Sequence, residues 1–444
     1  MINKIYKEFI DFYYIIKSIY KKPSKFYDDN LKKSFLYNIG FHGLQNISYN
    51  LMIIITVPYL INVIGPNKYS SFLFILSFLN LLDVIIDYGI FFTGVRLVAN
   101  CENNVEREKV FISILQIKIF LLLVSIIIVF IVGKYTNILK YDLHIFYIGY
   151  LLILGNIFLS GYYFRGMNDF KPFNITSIVS NIGMVILVLF FINKDSNIEQ
   201  LVFFQGIAVF IPSLVLIFLI IKKFEKVLVV FKPDFNHIKY LFSHSLNNAY
   251  TRFLLSFFFM AHLFIIGQLV KDDFFSAYAI SYKIVITISN FFTAIFLPSF
   301  SLITKINIEN EKEKLFRYFK TINIFSFILH FVIMLILFVS GKIIIENLLG
   351  YNDFYIHYSI NYFIILLYLL PASLNYNFNS ILIVLKKDNL LLKNNLIGIV
   401  FFVLFIVLLF YIPEHLRNIF ISGNLFIVIT LIVILNYFSF KKNN

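Results

Sequence analysis

Long apolar runs dominate this chain and decide what it can fold into. A helix needs about 20 apolar residues to cross the hydrocarbon core of a bilayer, and the sequence offers roughly a dozen such runs, separated by short polar breaks. Hydrophobic residues fill 60% of the 444 positions and charged residues only 14%, which is too apolar for a soluble core. The sequence therefore predicts an all-α integral membrane protein with twelve transmembrane helices.

The predicted spans cover nearly the whole chain after residue 35. They lie near residues 36–62, 70–98, 110–133, 143–164, 172–193, 199–221, 242–269, 275–303, 319–341, 355–385, 394–411 and 419–438. Charged residues interrupt segment 1–33 and no cleavage site follows it, so we interpret it as a cytoplasmic amphipathic helix rather than a signal peptide. A solvated tail is the alternative interpretation of this segment.

Lysine and arginine residues are distributed unevenly between the two sides of the predicted topology. With the N-terminus inside, the cytoplasmic segments hold 28 of these residues and the outer segments hold 7. Short cytoplasmic loops of membrane proteins are enriched in Lys and Arg. The distribution predicts that both termini are cytoplasmic.

Two segments of the chain are repeated. Residues 42–50 resemble residues 244–252 at an offset of 202, and Tyr69–Phe72 matches Phe275–Tyr278 at an offset of 206. Six spans separate the copies, so they share one orientation and define a pseudo-two-fold axis along the membrane normal. We predict an N-lobe (34–221), a basic linker (222–239), a C-lobe (240–438) and a cytoplasmic tail (439–444). Chance similarity in a biased composition is the alternative.

Polar residues in four of the predicted spans recur at helical spacing, so each set marks one face of its helix. The sets are His42, Gln45, Asn46, Tyr49 and Asn50; Asn80, Asp83 and Asp87; His244, Asn247, Asn248, Thr251 and Arg252; and Lys283, Thr287 and Asn290. Charges that face lipid are costly, so we predict that these faces line one water-accessible cavity. The alternatives are packing contacts for the amides, a buried ion pair for the charges, and snorkelling to an interface for Arg96, Lys118 and Arg165.

Other residue patterns narrow the chemistry. The single cysteine, Cys101, excludes an internal disulfide and a cysteine cluster for a metal. No ATP-binding G-x-x-x-x-G-K-[ST] segment occurs, so no cofactor is expected and energy would come from an ion gradient, H⁺ or Na⁺, or from the substrate gradient. Asp83 and Asp87, one helical turn apart, are the ion-coupling candidates. His262 and His330 are predicted core residues.

Several short motifs resemble the multidrug/oligosaccharidyl-lipid/polysaccharide exporter superfamily, and within it the Wzx-type O-antigen and capsule flippases. The motifs are Val57-Pro-Tyr-Leu60, Ile64-Gly-Pro-Asn67, Asp87-Tyr-Gly89 followed by Arg96, Arg165-Gly166 and Leu297-Pro298. The resemblance implies two lobes around a central cavity, alternating access, and a bacterial inner-membrane location. It also implies an undecaprenyl-diphosphate-linked oligosaccharide as substrate, and a polymerase and a chain-length regulator as pathway partners; no nucleic-acid partner is expected.

This resemblance assigns roles to the polar faces. Arg252 and Lys283 would contact the diphosphate, because arginine and lysine suit phosphate oxygens. Arg96 and Lys118 are weaker candidates, and the glycan would contact the amides, hydroxyl and histidines, namely His42, Gln45, Asn46, Asn50, His244, Asn247, Asn248, Thr251 and Asn290. The alternatives are a multidrug or cation efflux pump of the same superfamily and a membrane polysaccharide polymerase or glycosyltransferase. The short outer loops argue against the enzymes.

Overall fold

The structure, a computed structural model, describes the backbone of residues 29–167, 169–222, 224, 235–256, 262–308, 312–385 and 387–441. Side chains are described throughout these ranges except at 29–40, 42, 92, 235–237, 247–248, 251–252, 254–256, 291–308, 312–314, 348, 355, 388 and 414–415. The predicted amphipathic segment therefore lies mostly outside the described residues, as does most of the predicted linker.

Helices make up all the regular structure in the described part of the chain. They are α1 (Asp29–Ile64), α2 (Pro66–Asp87), α3 (Ile90–Asn100), α4 (Asn104–Tyr135), α5 (Leu143–Leu159), α6 (Gly161–Gly166), α7 (Lys171–Phe191), α8 (Ile198–Ile221), α9 (Phe235–Ser256), α10 (His262–Leu269), α11 (Asp272–Ile308), α12 (Lys312–Lys342), a π-helical turn (Ile343–Leu348), α13 (Phe354–Leu366), α14 (Leu369–Val384), α15 (Asp388–Leu409) and α16 (Glu414–Lys441). The prediction of an all-α fold is confirmed.

Among the described residues, ten helical stretches are long and apolar enough to cross a membrane. They are Gly43–Ile64, Pro66–Asp87, Asn104–Tyr135, Leu143–Gly166, Lys171–Phe191, Ile198–Ile221, Leu315–Asn347, Ile356–Val384, Asn389–Leu409 and Leu416–Lys441. They coincide with ten of the twelve predicted spans. Helices α9, α10 and α11 occupy the remaining two, where the side chains are described only in part. The chain is a multi-pass membrane protein.

The chain consists of two compact units. The larger unit holds residues 44–283 and 342–362; the smaller holds residues 284–341 and 363–444 with the chain up to Gly43. These limits differ from the predicted lobe limits, 34–221 and 240–438, which stay a prediction. In the larger unit, α5 packs on α8, and α3 packs on α6.

In the smaller unit, α16 packs between α14 and α15. A chain of amides joins the three helices: Asn394 Nδ2 donates to Asn436 Oδ1 (2.8 Å), and Asn436 Nδ2 donates to Asn379 Oδ1 (3.1 Å). Neutral hydrogen bonds of this kind hold helices together within a membrane without the cost of a charge. The polar contact that joins these three helices is therefore uncharged.

Three predicted spans are interrupted, which corrects the continuous helices expected over 70–98, 143–164 and 355–385; the last breaks between α13 and α14, at residues 367–368. The first breaks between α2 and α3, where Tyr88 (φ 47°) and Gly89 (φ 65°) are left-handed. The second breaks between α5 and α6 at Ser160, with φ 42°. Left-handed residues end an α-helix because they turn the backbone out of its hydrogen-bond ladder. Only glycine adopts this conformation readily, so the residue types at Tyr88 and Ser160 do not by themselves indicate a break.

Candidate functional site

The breaks after α2 and after α5 adjoin one cavity within the larger unit, which we call the inner cavity. It has a volume of about 210 Å³ and is lined by Asp83, Ile86, Asp87, Phe91, Lys118, Asn156, Ile157, Leu159, Ser160, Gly161 and Phe173. The carboxyl ends of α2 and α5 lie here, and such ends carry partial negative charge. Two carboxylates, Asp83 and Asp87, and the Lys118 ammonium also line the inner cavity, so it holds charges of both signs.

A buried ion pair occupies the inner cavity. Lys118 Nζ lies 2.7 Å from Asp87 Oδ1, and the two side chains are only 8% and 7% exposed. The ammonium also lies 5.7 Å from the centre of the Tyr162 ring. A partly desolvated pair at this distance attracts strongly, and losing either partner strands a charge in an apolar setting. Of the alternatives for Lys118 and Asp87, the structure therefore shows the ion pair rather than snorkelling.

Arg165 belongs to the same neighbourhood. Its guanidinium carbon lies 5.0 Å from the centre of the Phe91 ring and 5.6 Å from that of Phe173, and both rings line the inner cavity. A guanidinium over an aromatic face gains a cation–π attraction. Arg165 therefore packs within the protein, and its charge adds to that of Lys118 near the two aspartates.

Helices α3 and α6 pack closely on each other beside the inner cavity. A Cβ atom on Gly94 would lie 2.7 Å from Tyr162 Cδ2, and one on Gly166 would lie 2.6 Å from Val98 Cβ. Only glycine permits this approach of two helices. The two short helices therefore form one packed piece beyond the breaks at Tyr88 and Ser160.

The polar face of α1 is described in part. Asn50 is buried and donates through Nδ2 to the carbonyl of Asn46 at 2.7 Å. Gln45 and Asn46 are partly exposed, whereas the side chain of His42 lies outside the described residues. This face supplies polar groups, but the structure assigns none of them to the inner cavity.

The candidates in the second half are also scattered or outside the description. His244 is exposed and stacks on Tyr240, with its Nδ1 2.9 Å from the Tyr240 carbonyl. Lys283 is partly buried and Asn290 is exposed; Arg96, a first-half candidate, is exposed as well. The side chains of Asn247, Asn248, Thr251 and Arg252 lie outside the described residues. That these residues meet the first-half candidates in one cavity stays a prediction.

The two histidines predicted to be core residues are buried. His262 Nε2 lies 3.1 Å from Tyr278 Oη, and His330 Nδ1 lies 2.9 Å from the Ser326 carbonyl. Both are buried and hydrogen-bonded within the fold, which confirms that they are core residues. No group of three or more His, Cys, Asp or Glu side chains that could hold a metal ion occurs among the described residues.

Sequence reasoning missed two polar residues of the inner cavity, Asn156 and Ser160. Each lies in a run that reads as continuously apolar, and neither falls on a polar face. The Ser160-Gly161 dipeptide was the available signal, because Ser-Gly often marks a turn or a break. A helix interrupted inside a membrane commonly lines a cavity, so this signal also pointed to a site.

Residues 35–303 match a family model described as Polysaccharide biosynthesis protein. The chain belongs to this family. It is 22% identical over 193 residues to the "Putative O-antigen transporter" of Escherichia coli K12, covering 43% of this chain and 46% of that protein. A protein of the same description from Shigella dysenteriae is 22% identical over 203 residues, covering 46% of this chain and 50% of the relative. The chain thus spans about half the length of the curated relatives that it matches.

Solved structures show the fold. An inward-facing MATE family multidrug resistance transporter of the MOP superfamily superposes with a TM-score of 0.68 at 12% identity, covering 90% of this chain and 98% of that one. A Vibrio cholerae MATE transporter gives 0.61 at 11% identity, covering 93% and 96%. The polysaccharide biosynthesis family member therefore has a MATE-like fold, and the resemblance predicted from the sequence motifs is confirmed.

Proposed function

We propose that this chain is a flippase that moves undecaprenyl-diphosphate-linked oligosaccharide repeat units from the cytoplasmic to the outer leaflet, for O-antigen or capsule assembly. The observation that carries the proposal is the combination of a polysaccharide biosynthesis family with a transporter fold. The protein would work in the bacterial inner membrane with both termini in the cytoplasm. A polymerase and a chain-length regulator of the same pathway are its proposed partners.

Alternating access supplies the mechanism. The diphosphate and sugars cannot cross hydrocarbon unaided because each buried polar group costs free energy. Two lobes that rock about a central site expose it first to one side and then to the other, while the prenyl tail stays in lipid. Arg252 and Lys283 are the proposed diphosphate contacts, and Arg96 is a weaker one. The amides and histidines of the polar faces would bind the glycan.

The inner cavity gives the coupling hypothesis a concrete form. Asp83 and Asp87 line it together, and Lys118 already neutralises Asp87 there. Protonation of Asp87 would remove the attraction that holds Lys118, so ion binding and side-chain position are coupled. We therefore move Lys118 from the proposed substrate contacts to the proposed coupling site, with Asp83 and Asp87 as carriers of H⁺ or Na⁺.

Reconstituted vesicles test the proposal. A polyprenyl diphosphate carrying a fluorescently labelled oligosaccharide is placed in both leaflets, and an impermeant quencher reports the fraction that becomes accessible from outside. Wild-type protein should render nearly all of the probe accessible, whereas protein-free vesicles should expose about half. A wild-type signal equal to that of empty vesicles would contradict the flippase proposal.

Variants in the same assay test the assigned residues. Arg252→Ala and Lys283→Ala should slow the movement of the probe, and equal movement would remove these two contacts. The double variant Asp83→Asn, Asp87→Asn should abolish any stimulation by a proton or sodium gradient. Wild-type movement by this double variant would refute ion coupling at the inner cavity.

Multidrug efflux is the second candidate function, favoured by the fold shared with a multidrug resistance MATE transporter. It predicts that vesicles extrude a cationic dye such as ethidium. Extrusion of the dye without movement of the lipid-linked probe would reverse our preference. An enzyme of the pathway is the weakest candidate, because the described outer connections, such as residues 136–142 and 192–197, are short.

A further inference from the structure

Serine hydroxyls join the outer ends of the two halves inside the larger unit. Ser70 Oγ of α2 lies 2.7 Å from Ser276 Oγ of α11, and both serines are buried. Ser276 Oγ also lies 2.8 Å from Asn67 Oδ1, and Tyr141 Oη donates to Ser71 Oγ at 2.7 Å. We define the outer seam as Asn67, Ser70, Ser71, Tyr141, Asp272 and Ser276.

The sequence spacing of Ser70 and Ser276 places their contact on the pseudo-two-fold axis of the repeat. They are 206 residues apart, which is the offset at which Tyr69–Phe72 matches Phe275–Tyr278. The two serines are therefore equivalent members of the repeat. When equivalent residues of a two-fold arrangement touch each other, the axis passes between them. The axis of a parallel repeat runs along the membrane normal, so this contact lies on the line between the halves.

Two further contacts obey the same symmetry. The connection between α4 and α5 covers the end of α10, where Lys140 Nζ donates to the Gly267 carbonyl and Gln268 Nε2 donates to the Ile138 carbonyl. The connection after the π-helical turn covers the end of α1, where Gly350 (φ 68°) packs so tightly on Asn62 that a Cβ atom would overlap it. Each half therefore covers the outer end of the other half's first span.

An apolar layer lies directly beneath the outer seam. The Phe74 ring packs on Phe264 (4.8 Å between centroids) and edge-on against Phe275 (6.1 Å) and Tyr141 (5.6 Å). Gly267 lets Phe74 approach, since a Cβ atom there would lie 2.6 Å from Phe74 Cδ2. Tightly packed rings exclude water. The seam and this layer together seal the outer ends of α2, α10 and α11.

We infer that the outer seam is the exit gate of the protein: it parts once in each transport cycle and closes again behind the glycan. The inference rests on the proposed function, because a path along the axis for a lipid-linked glycan must pass the Ser70–Ser276 contact. The partners of these two serines are neutral hydroxyl, amide and carbonyl groups, which water replaces readily when they separate. The ion pair at the rim, Lys140 with Asp272 at 3.7 Å, is weak because the Asp272 side chain is 83% exposed.

The phenol of Tyr141 stays a donor while the gate is closed. Burial raises the pKa of Tyr141, nearby Asp272 raises it further, and the bond to Ser71 opposes them. A raised pKa keeps the hydroxyl protonated through and above its usual titration range. The hydrogen bond from Tyr141 to Ser71 should therefore persist across the physiological pH range.

A disulfide tests the gate. Because Cys101 is the single cysteine, Cys101→Ser gives a cysteine-free background, and Ser70→Cys with Ser276→Cys places two thiols where the hydroxyls are 2.7 Å apart. The reduced double variant should still move the fluorescent polyprenyl-diphosphate probe. Oxidation should lower movement to the level of protein-free vesicles, and a reductant should restore it.

A matched control places a crosslink within one half. Ser48→Cys with Asn181→Cys replaces a pair in which Asn181 Nδ2 lies 2.8 Å from Ser48 Oγ, both in the first half. Its oxidised form should still move the probe. Unchanged movement of the probe by the fully crosslinked Ser70→Cys, Ser276→Cys variant would contradict the proposed gate. No movement by any reduced variant or by the wild type would instead contradict the proposed function.

A readout without transport separates these outcomes further. The single variant Ser70→Cys in the cysteine-free background carries a thiol that is buried while the seam is closed, since Ser70 is only 2% exposed. An impermeant maleimide added outside should label it at a measurable rate if the seam opens. Complete protection from labelling in a protein that moves the probe would exclude an opening at Ser70.

Discussion

The inner cavity and the outer seam both hold buried polar groups in a membrane protein, but they satisfy those groups with different contacts. The inner cavity holds the buried Lys118–Asp87 pair, whereas the outer seam is held by hydroxyls and an amide. Removing one partner of a buried ion pair costs about 3 to 5 kcal/mol, but a neutral hydrogen bond contributes only about 0.5 to 1.5 kcal/mol. A contact that opens often is better made of neutral groups, and a contact that responds to ions needs charges.

The largest expected effect is at the inner cavity. Lys118→Met should destabilise the protein by about 3 to 5 kcal/mol, because Asp87 then loses the ammonium that lies 2.7 Å away. The thermal midpoint in detergent, followed by size-exclusion fluorescence, measures the loss. Adding Asp87→Asn should restore much of it.

A lysine on the same helix provides the control. Lys109 is exposed on α4, so Lys109→Met should change stability by no more than about 0.5 kcal/mol. If Lys118→Met melts where the wild type does, the ion pair adds no stability and the contrast with the outer seam is lost.

The next effect concerns the packed piece beyond the helix breaks. Gly94→Ala should destabilise by about 1 to 3 kcal/mol, since the added methyl would lie 2.7 Å from Tyr162 Cδ2. Gly183 of α7 has nothing within 4 Å of an added Cβ, so Gly183→Ala should be neutral or slightly stabilising. The same melting measurement compares the two, and equal midpoints would show that α3 and α6 pack less tightly than described.

A smaller effect is expected at the outer seam. Tyr141→Phe keeps the ring against Phe74 but removes the hydroxyl that donates to Ser71 at 2.7 Å. Losing about 1 kcal/mol from the closed state should raise maleimide labelling of Ser70→Cys about fivefold. Tyr135 is 74% exposed, and Tyr135→Phe should leave the rate unchanged. A rate unaffected by Tyr141→Phe would place this hydroxyl outside the gate.

The last prediction fixes which side each region faces. Cys101 should react with an impermeant maleimide only when the cytoplasmic face is open to the reagent, whereas Thr136→Cys in the cysteine-free background should react from outside. Burial raises the pKa of Cys101, Glu106 raises it further and Arg107 opposes them, so labelling should keep accelerating as pH increases past the usual thiol range. Labelling of Cys101 in intact cells would invert the topology and exchange the entry and exit sides.

Sequence patterns were sufficient for the all-α membrane fold, for ten of the twelve predicted spans and for part of the inner cavity. Asp83 and Asp87 are one turn apart on one helix, and the structure places both at the same cavity. Lys118 was recognised as a charge within a span, but its partner lies on another helix, 31 residues away, and helical periodicity carries no information across helices.

The backbone breaks at Tyr88 and Ser160 were not predicted from the sequence, for a different reason. Tyr88 and Ser160 adopt a left-handed conformation that glycine takes freely and other residues take at a cost. The residue types at these two positions therefore do not indicate a break. Tertiary packing around them decides the conformation. The polar contact between Ser70 and Ser276 was likewise not predicted, although the repeat offset that relates the two serines was already present in the sequence.

A residue that meets its own counterpart across a two-fold axis must be complementary to itself. A hydroxyl satisfies this requirement because it both donates and accepts a hydrogen bond, whereas two lysines or two aspartates there would repel. If the chain arose by duplication of a six-span ancestor, that ancestor paired as a homodimer would have joined one serine to its own copy. The Ser70–Ser276 contact would then be older than the fusion of the two halves, and the present chain would still carry its symmetry.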